Sequence, residues 1–295
     1  MAVNHFFSLS PPSHFLYYPP MQKNLLLTLK WGTRYGPELV NRLAEAAHKH
    51  TTTPLQIICF TDDPTGLNTN LIEARPLPAF PNVPEPFASK PWRKLSLWQK
   101  NLGGDLTGRP ALVLDIDLIV MSDLTPFFTF EPTKPFAVWR NPTKPHSGVG
   151  NTSAFRFVVG AHPEVFDHYI ANPLGVYEND FKIEQEYISA ILGDGTATKA
   201  TARTATAKQN PLYQGKNAQV FWPEGWVLSF KEDLLLPWPR RLFQVTPPPP
   251  PTCKVIAFHG KPDPEEAAAG IWPTKKGQKW KKIYKSLRPI PWLQG

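Results

Sequence analysis

From Asn24 onward the chain alternates short apolar runs with amphipathic stretches. NLLLTL (24–29) is an unbroken apolar run closed by a polar loop, KWGTRYG, and reads as a strand covered on both faces. PELVNRLAEAAHKH follows with Gly36 at the cap, Pro37 in the first turn, and Leu39, Val40, Leu43 and Ala47 on one side, which predicts an amphipathic helix. LQIICF (55–60) is a second strand-like run. The opening is therefore a β–α–β unit, which builds a parallel sheet with ligands at the carboxyl ends of its strands. Beyond the proline-rich PLPAFPNVPEPF, the pattern predicts a helix over PWRKLSLWQKNL and a central strand over ALVLDIDLIV (111–120). SAFRFVVG reads as strand, EVFDHYIAN and KIEQEYISAIL as helices, and KVIAF as a late strand. The Thr/Ala/Lys tract 193–210 and the PPPPP run at 247–251 read as disordered or loop insertions, and there is no internal repeat.

One run breaks its own pattern. If ALVLDIDLIV continues as a strand, Asp115 and Asp117 point to one face while Leu114, Ile116 and Leu118 point to the other. Two carboxylates about 4 Å apart repel by roughly 4 kcal/mol at an effective dielectric of about 20. Such a pair needs a cation, a shared proton or open water, and Mg²⁺ or Mn²⁺ bridging carboxylates to substrate phosphates is the economical answer. A bare D-x-D tripeptide is common and most are solvated turns; placement at the end of an apolar strand sets this one apart. A second feature is KVIAFHGKPDP (254–264), where a strand ends in His259, Gly260 and Lys261. Imidazole is a ligand for Mn²⁺, glycine lets a phosphate approach the backbone, and lysine can neutralise a diphosphate; a hydrogen-bonded structural histidine is the competing reading.

Composition narrows the class. With 295 residues, 41% hydrophobic and 19% charged, the chain reads as one soluble globular domain. No run approaches the roughly 18 apolar residues of a membrane span. MAVNHFFSLSPPSHFLYYPP lacks a basic n-region and an unbroken apolar core, so it is a poor signal peptide and a cytoplasmic protein is expected. Residues 1–22 read as a poorly ordered amino-terminal extension, with Met21 standing directly before the first strand. Cys59 and Cys253 lie in or beside apolar runs and are expected to be buried free thiols. The charge is lopsided: 32 Lys and Arg face 24 Asp and Glu, but seven of the basic residues and no acid fall in 271–295, leaving 25 against 24 elsewhere. In the basic aromatic tail 265–295, Trp280, Ile283, Tyr284 and Leu287 share one helical face. That helix suits either an anionic membrane surface, at the inner face of the membrane, or packing on the core with lysines outside; no nucleic acid is expected.

The strand with D-x-D and the later strand with H-G-K-P together resemble the GT-A nucleotide-sugar glycosyltransferases, especially the family 8-like bacterial enzymes. The resemblance spans about residues 23–264, including the insertion 193–210. It implies an α/β fold of GT-A (Rossmann-like) type, a mixed central sheet flanked by helices, in a single domain. It implies that Asp115 and Asp117 bind a divalent Mn²⁺ or Mg²⁺. The late His-x-x-Gly-x-x-Lys-Pro motif of the family appears here in contracted form, His259-Gly260-Lys261-Pro262, which implies His259 as third ligand and Lys261 on the diphosphate. Lys30 and Tyr35, in the loop after the first strand, and Asp62, in CFTDDPTGL, fall where such enzymes hold the nucleotide, and Lys94 corresponds in position to a donor-binding basic residue. Asn151 and Ser153 of GNTSAFRF, and Gln185 beside Glu184 in KIEQEYIS, resemble elements facing the transferred sugar. The implied activity is transfer of a sugar from a nucleotide-diphosphate donor, UDP-sugar first among candidates, to a glycan or lipid-linked acceptor, with family 8 leaning towards retention. Two other classes compete: a haloacid dehalogenase-type phosphohydrolase, whose D-x-D belongs on the first strand with a later aspartate pair, and a non-enzymatic membrane- or RNA-associating protein acting through its basic tail.

Overall fold

Two apolar runs close in sequence and bridged by one amphipathic helix pair in parallel with no register slip: β1 (Asn24–Lys30) aligns with β2 (Leu55–Thr61) from Asn24 opposite Leu55 to Lys30 opposite Thr61, with α1 (Pro37–His50) as the crossover. The structure is a computed structural model and describes residues 23–81, 83–84, 90–274 and 284–293. In chain order there follow β3 (Ile72–Pro76), a 3₁₀ helix (Pro91–Trp98), β4 (Pro110–Leu114), β5 (Ile119–Val120) and α2 (Thr125–Thr129). Next come β6 (Phe136–Arg140), β7 (Gly150–Val158), α3 (Glu164–Ala171), the single turn α4 (Pro173–Gly175), and α5 (Glu184–Leu192). The chain continues through α6 (Thr196–Thr201), α7 (Ala205–Gln209), β8 (Gln219–Phe221), β9 (Val227–Ser229), β10 (Val255–Ala257) and α8 (Pro264–Ala268).

The main sheet has the order β3-β2-β1-β4-β7-β6-β8. Strands β3, β2, β1 and β4 are parallel, β7 runs antiparallel between β4 and β6, and β8 is parallel to β6. The sheet is covered on both sides, as continuous apolar strands require. Leu25, Leu27, Leu29, Ala111 and Val113 face one core with Trp92, Trp98 and Tyr187. Leu26, Ile57, Cys59, Leu112 and Leu114 face the other with Val40 and Leu43 of α1. The expectation of an α/β fold with a mixed central sheet flanked by helices therefore holds. A small second sheet, β5-β10-β9, caps the edge where β4 ends. Cys59 and Cys253 are buried and free, and burial pushes both thiols up to about 12.

Three expectations are corrected. ALVLDIDLIV is not one strand: β4 stops at Leu114, and the chain turns through Asp115–Asp117 before β5 leaves the main sheet to pair with β10. The Asp115 amide still donates in register to the Ser153 carbonyl, at 2.9 Å, but the ladder ends there because the Ser153 amide donates instead to Asn151 Oδ1 and the Asp115 carbonyl accepts from the Leu118 amide. The aspartates therefore sit on a turn, where strand alternation does not set their directions. PWRKLSLW is helical but 3₁₀. The tract 193–210 is not a loop insertion: it forms α6 and α7, with Ala197 and Ala207 buried in them and Ala202 between them, and with the Thr204 side chain accepting from the Ala207 amide as a cap. Of the tail, Leu287 and Ile290 are buried in a third cluster with Phe230, Ile256 and Phe258, against which Trp272 and Trp292 pack. Trp280, Ile283 and the extension 1–22 lie outside the described residues.

Candidate active site at the carboxyl ends of the parallel strands

Strands β1 and β4 lie side by side and end at one edge, where antiparallel β7 begins. The Thr28 hydroxyl donates to the Leu114 carbonyl at 2.8 Å and ties the two strand ends together. A cavity of about 600 Å³ opens there, walled by Lys30 and the loop Trp31–Tyr35, by Asp115, Ile116 and Asp117, and by Phe258, His259 and Gly260 at the end of β10. Cavities of similar size lie near Arg140 and near Lys182, but the paired aspartates open into this one. A side pocket of about 310 Å³ shares Arg34, Tyr35 and Asp117 and is closed by Asp263 and Glu265. The loop is anchored by the Gly32 amide, which donates to Asp62 Oδ2 at 2.9 Å, and Arg34 lies over the Tyr35 ring at 4.8 Å. Gly32 has φ +63°, a left-handed conformation that glycine adopts freely.

Beneath the cavity runs a buried polar network. The Lys94 ammonium donates to Asp115 Oδ2 at 2.7 Å and to the Thr152 carbonyl at 3.2 Å, and the Thr152 hydroxyl donates to Glu184 at 2.9 Å. Burial works against the charge on Lys94, but Asp115 and Glu184 outweigh it, so its pKa stands above the ordinary lysine value. Burial raises Glu184, against the opposing pull of Lys94 and Thr152. Asp117 is pushed up to about 7, first by burial and then by the neighbouring Asp115. Three carboxyl groups thus share one ammonium, and the region is short of positive charge.

His259 stands across the cavity. Its ring stacks on Trp139 with centroids 5.4 Å apart, and its Nε2 is buried without a hydrogen-bond partner. Burial, with Lys231 nearby, lowers its pKa and favours the neutral imidazole, the form that ligates a metal. The residues fit a divalent ion in part: Asp115 is paired with Lys94, while the neighbouring Asp117 is short of positive charge and the His259 imidazole nitrogen has nothing to bond. Among the described residues no three His, Cys, Asp or Glu side chains stand close enough to enclose a metal by themselves. That agrees with the habit of Mg²⁺, which takes one or two carboxylates and completes its shell with water and substrate phosphate.

The structure brings together Lys30, Tyr35, Lys94, Asp115, Asp117 and His259 of the residues singled out in the sequence. It places others apart. The Lys261 ammonium is held by Asp263 at 2.5 Å and Glu266 at 2.7 Å, off the cavity wall, because Asp263 and Glu266 form the capping box of α8 directly after the short H-G-K-P turn. Asp62 anchors the loop instead of lining the cavity. Asn151 turns its Oδ1 back to the Ser153 amide, at 2.9 Å, and Ser153 reaches the site through its carbonyl. Gln185 accepts from Asn141 at 3.4 Å. The sequence reading missed the Thr152 link between Lys94 and Glu184 and the Trp139 platform under His259. Thr152 was legible as the residue between Asn151 and Ser153; Trp139 sits on β6, a strand the pattern did not reveal.

No protein-family model matches the chain, and no curated protein matches it. Among solved structures, it is similar to the galactosyltransferase LgtC in complex with donor and acceptor sugar analogs, at 14% identity over 90% of this chain and 97% of that one, with a TM-score of 0.44. It is also similar to the glycosyltransferase GlyE of Streptococcus pneumoniae TIGR4, at 16% identity over 70% of this chain, with a TM-score of 0.40; the match spans 47% of the GlyE chain.

Proposed function

We propose that the chain is a metal-assisted glycosyltransferase, taking a sugar from a nucleotide-diphosphate donor, with UDP-sugars the first candidates, and passing it to a glycan or lipid-linked acceptor. The observation that carries this reading is the pairing of Asp115 and Asp117 with the unpartnered Nε2 of His259 in one cavity at the carboxyl ends of the parallel strands. Asp115 and Asp117 would hold Mn²⁺ or Mg²⁺, with His259 across the cavity as the third candidate ligand, and the ion would supply Lewis-acid stabilisation of the departing diphosphate.

The chain's own groups do the rest. Lys94 fixes the Asp115 carboxylate in place and keeps a permanent charge beneath the phosphates. Lys30, buried at the end of β1, adds a second cation to the cavity wall. The loop Trp31–Tyr35, pinned through Gly32 to Asp62, offers an aromatic and cationic wall for base and ribose. Gln185 and Asn151, at the start of α5 and β7, remain the candidates for contact with the transferred sugar, although neither lines the cavity. Displacement then needs no covalent intermediate on a protein nucleophile.

The test is calorimetric titration of UDP into wild type with Mn²⁺ and with chelator, alongside Asp115→Ala, Asp117→Ala and His259→Gln. Binding that requires the metal, vanishes in both aspartate variants and weakens at least about tenfold in His259→Gln is the expected result. Binding indifferent to metal and to these residues would sink the proposal, and turnover of phosphomonoesters dependent on Asp115 would replace it with the phosphohydrolase reading.

A further inference from the structure

The cavity near Arg140, also about 600 Å³, lies at the edge of the main sheet where β8 closes the strand order, and it shares no lining residue with the cavity of the aspartates. Helix α5 runs between the two. Glu184, at its start, belongs to the network beneath the aspartates, and Gly193, just past its end, lines the second cavity. Nine residues at about 1.5 Å each set those ends about 13 Å apart. Backbone bonds fix the wall: the Asn217 amide donates to the Gly193 carbonyl at 2.8 Å and the Ala218 amide to the Leu192 carbonyl at 2.9 Å, which clamps the entry of β8 to the end of α5.

Two cations face this space without a carboxylate to pair with. The Arg140 guanidinium lies over the Phe221 ring, 3.9 Å from its centroid, and gives one N–H to the Pro145 carbonyl at 3.3 Å. The Lys134 ammonium donates to the Asn217 carbonyl at 3.0 Å. Neither forms an ion pair among the described residues. Asp194 is the one carboxylate among the described lining residues; it accepts from the Thr196 amide at 2.9 Å, and that bond lowers its pKa and keeps it charged. Positive charge is therefore in surplus. A guanidinium stacked on a ring holds its N–H groups in one plane, so its fork is oriented before an oxyanion arrives.

The rest of the lining says what carries the anion. A space of this volume takes a small organic molecule, and beside the cations it presents His146, Asp194, Thr196 and Asn217, with Val220 and Phe221 as its apolar side chains. The Phe221 ring packs on the first core cluster and is faced by Arg140, so it offers no face to a nucleobase. A zwitterion would leave the surplus charge unanswered, whereas hydroxyl groups satisfy Asp194 without adding a charge. We propose that this cavity is a second binding site, for an acidic saccharide: a sugar whose carboxylate or phosphate meets Arg140 and Lys134 and whose hydroxyls meet Asp194 and Asn217. It goes beyond the transferase reading and does not rest on it.

The experiment is NMR titration of the full chain with glucose 6-phosphate, glucuronate, glucose and inorganic phosphate. At least one acidic sugar is expected to shift the amides of Gly148, Asp194 and Val220 saturably and to leave those of Gly32 and Asp115 in place; which one does so separates phosphate from carboxylate. Glucose and inorganic phosphate should each bind at least about tenfold more weakly, since each offers half of the recognition. Arg140→Gln should weaken the acidic sugar at least about tenfold. Arg140 is exposed, so the thermal melt of that variant should match wild type. UDP with Mn²⁺ should not compete, and Asp117→Asn should leave the affinity unchanged, so failure of the transferase reading would leave this site standing. No saturable shift, equal affinity for glucose or inorganic phosphate, an Arg140→Gln variant that binds as wild type does, or displacement by UDP would each overturn the proposal.

Discussion

Substituting Asp117→Asn should make the metal-free protein more stable while destroying its proposed function. The carboxyl stands at about 7 against an ordinary 3.8, chiefly through burial and then through Asp115. A raised carboxyl pKa means that the folded state holds its proton more tightly than the unfolded chain does. Below about pH 4 both states are protonated and Asp117 costs nothing. As pH rises from about 4 to about 7 the unfolded chain releases this proton and the folded chain keeps it, so stability falls; above about 7 the loss is complete. The shift corresponds to about 4 kcal/mol at most, and partial solvent access to the cavity brings the expected loss to about 2–4 kcal/mol. Asparagine keeps the shape and removes the charge. Urea unfolding in chelator should show the variant matching wild type near pH 3.5, exceeding it by about 1 kcal/mol near pH 4.5 and by about 2–4 kcal/mol near pH 8. A variant less stable at pH 8, or one with the same offset at all three pH values, would refute the account of the carboxylate pair.

Lys94→Met removes the one ammonium shared by Asp115 and Glu184 and should cost about 3 kcal/mol in urea unfolding, with Mn²⁺ restoring more stability than it adds to wild type; no loss of stability would show that the pair is solvated. Arg156, 1% exposed, donates to the carbonyls of Phe127, Phe128, Phe130, Glu131 and Lys134, so Arg156→Met should cost at least about 3 kcal/mol by the same assay, and a smaller loss would mean that water takes its place. A Cβ on Gly150 would stand 2.4 Å from Val138 Cγ1, so Gly150→Ala should lower stability by about 1–3 kcal/mol; an unchanged melt would contradict this packing. In Mn²⁺, Asp117→Asn should bind UDP at least about tenfold more weakly than wild type; calorimetry reads this, and unchanged affinity would be fatal to the ligand role of Asp117.

What could be read from the sequence was what local pattern controls. The β–α–β opening was legible because β1 and β2 are apolar throughout and Pro37 starts the helix between them. The D-x-D run and the H-G-K-P run were legible as chemistry. Their geometry was not, because distant partners decide where β4 stops: the Ser153 amide turns to Asn151 Oδ1 instead of returning a bond to Asp115, and β10 draws β5 away. IEARP and QVF gave no strand signal, since the first is an edge strand with polar residues outward and the second has three residues. The Thr/Ala tract looked featureless by composition, yet it forms two short helices in which Ala197 and Ala207 are buried, with Ala202 buried between them and Thr204 as a cap. The diversion of Lys261 had a visible cause: Asp263-Pro264-Glu265-Glu266 is a capping-box pattern, and it places two carboxylates beside the lysine.

That diversion bears on mechanism. Of the cations around the cavity, Lys94 is committed to Asp115 and Lys261 to Asp263 and Glu266. Lys30 and Arg34, both on the cavity wall, form no ion pair among the described residues. A nucleoside diphosphate brings further negative charge to a space that already holds Asp115 and Asp117, and two side-chain cations do not reverse that balance. On the proposed function a divalent ion would, and it would also offer the unpartnered His259 nitrogen a bond. Its arrival lowers the cost of ionising Asp117, so metal and diphosphate should bind cooperatively, each supplying the charge or the ligands that the other lacks. On the proposed function, the same surplus of negative charge that weakens the resting fold would make the cavity selective for a metal-bound diphosphate over either component alone.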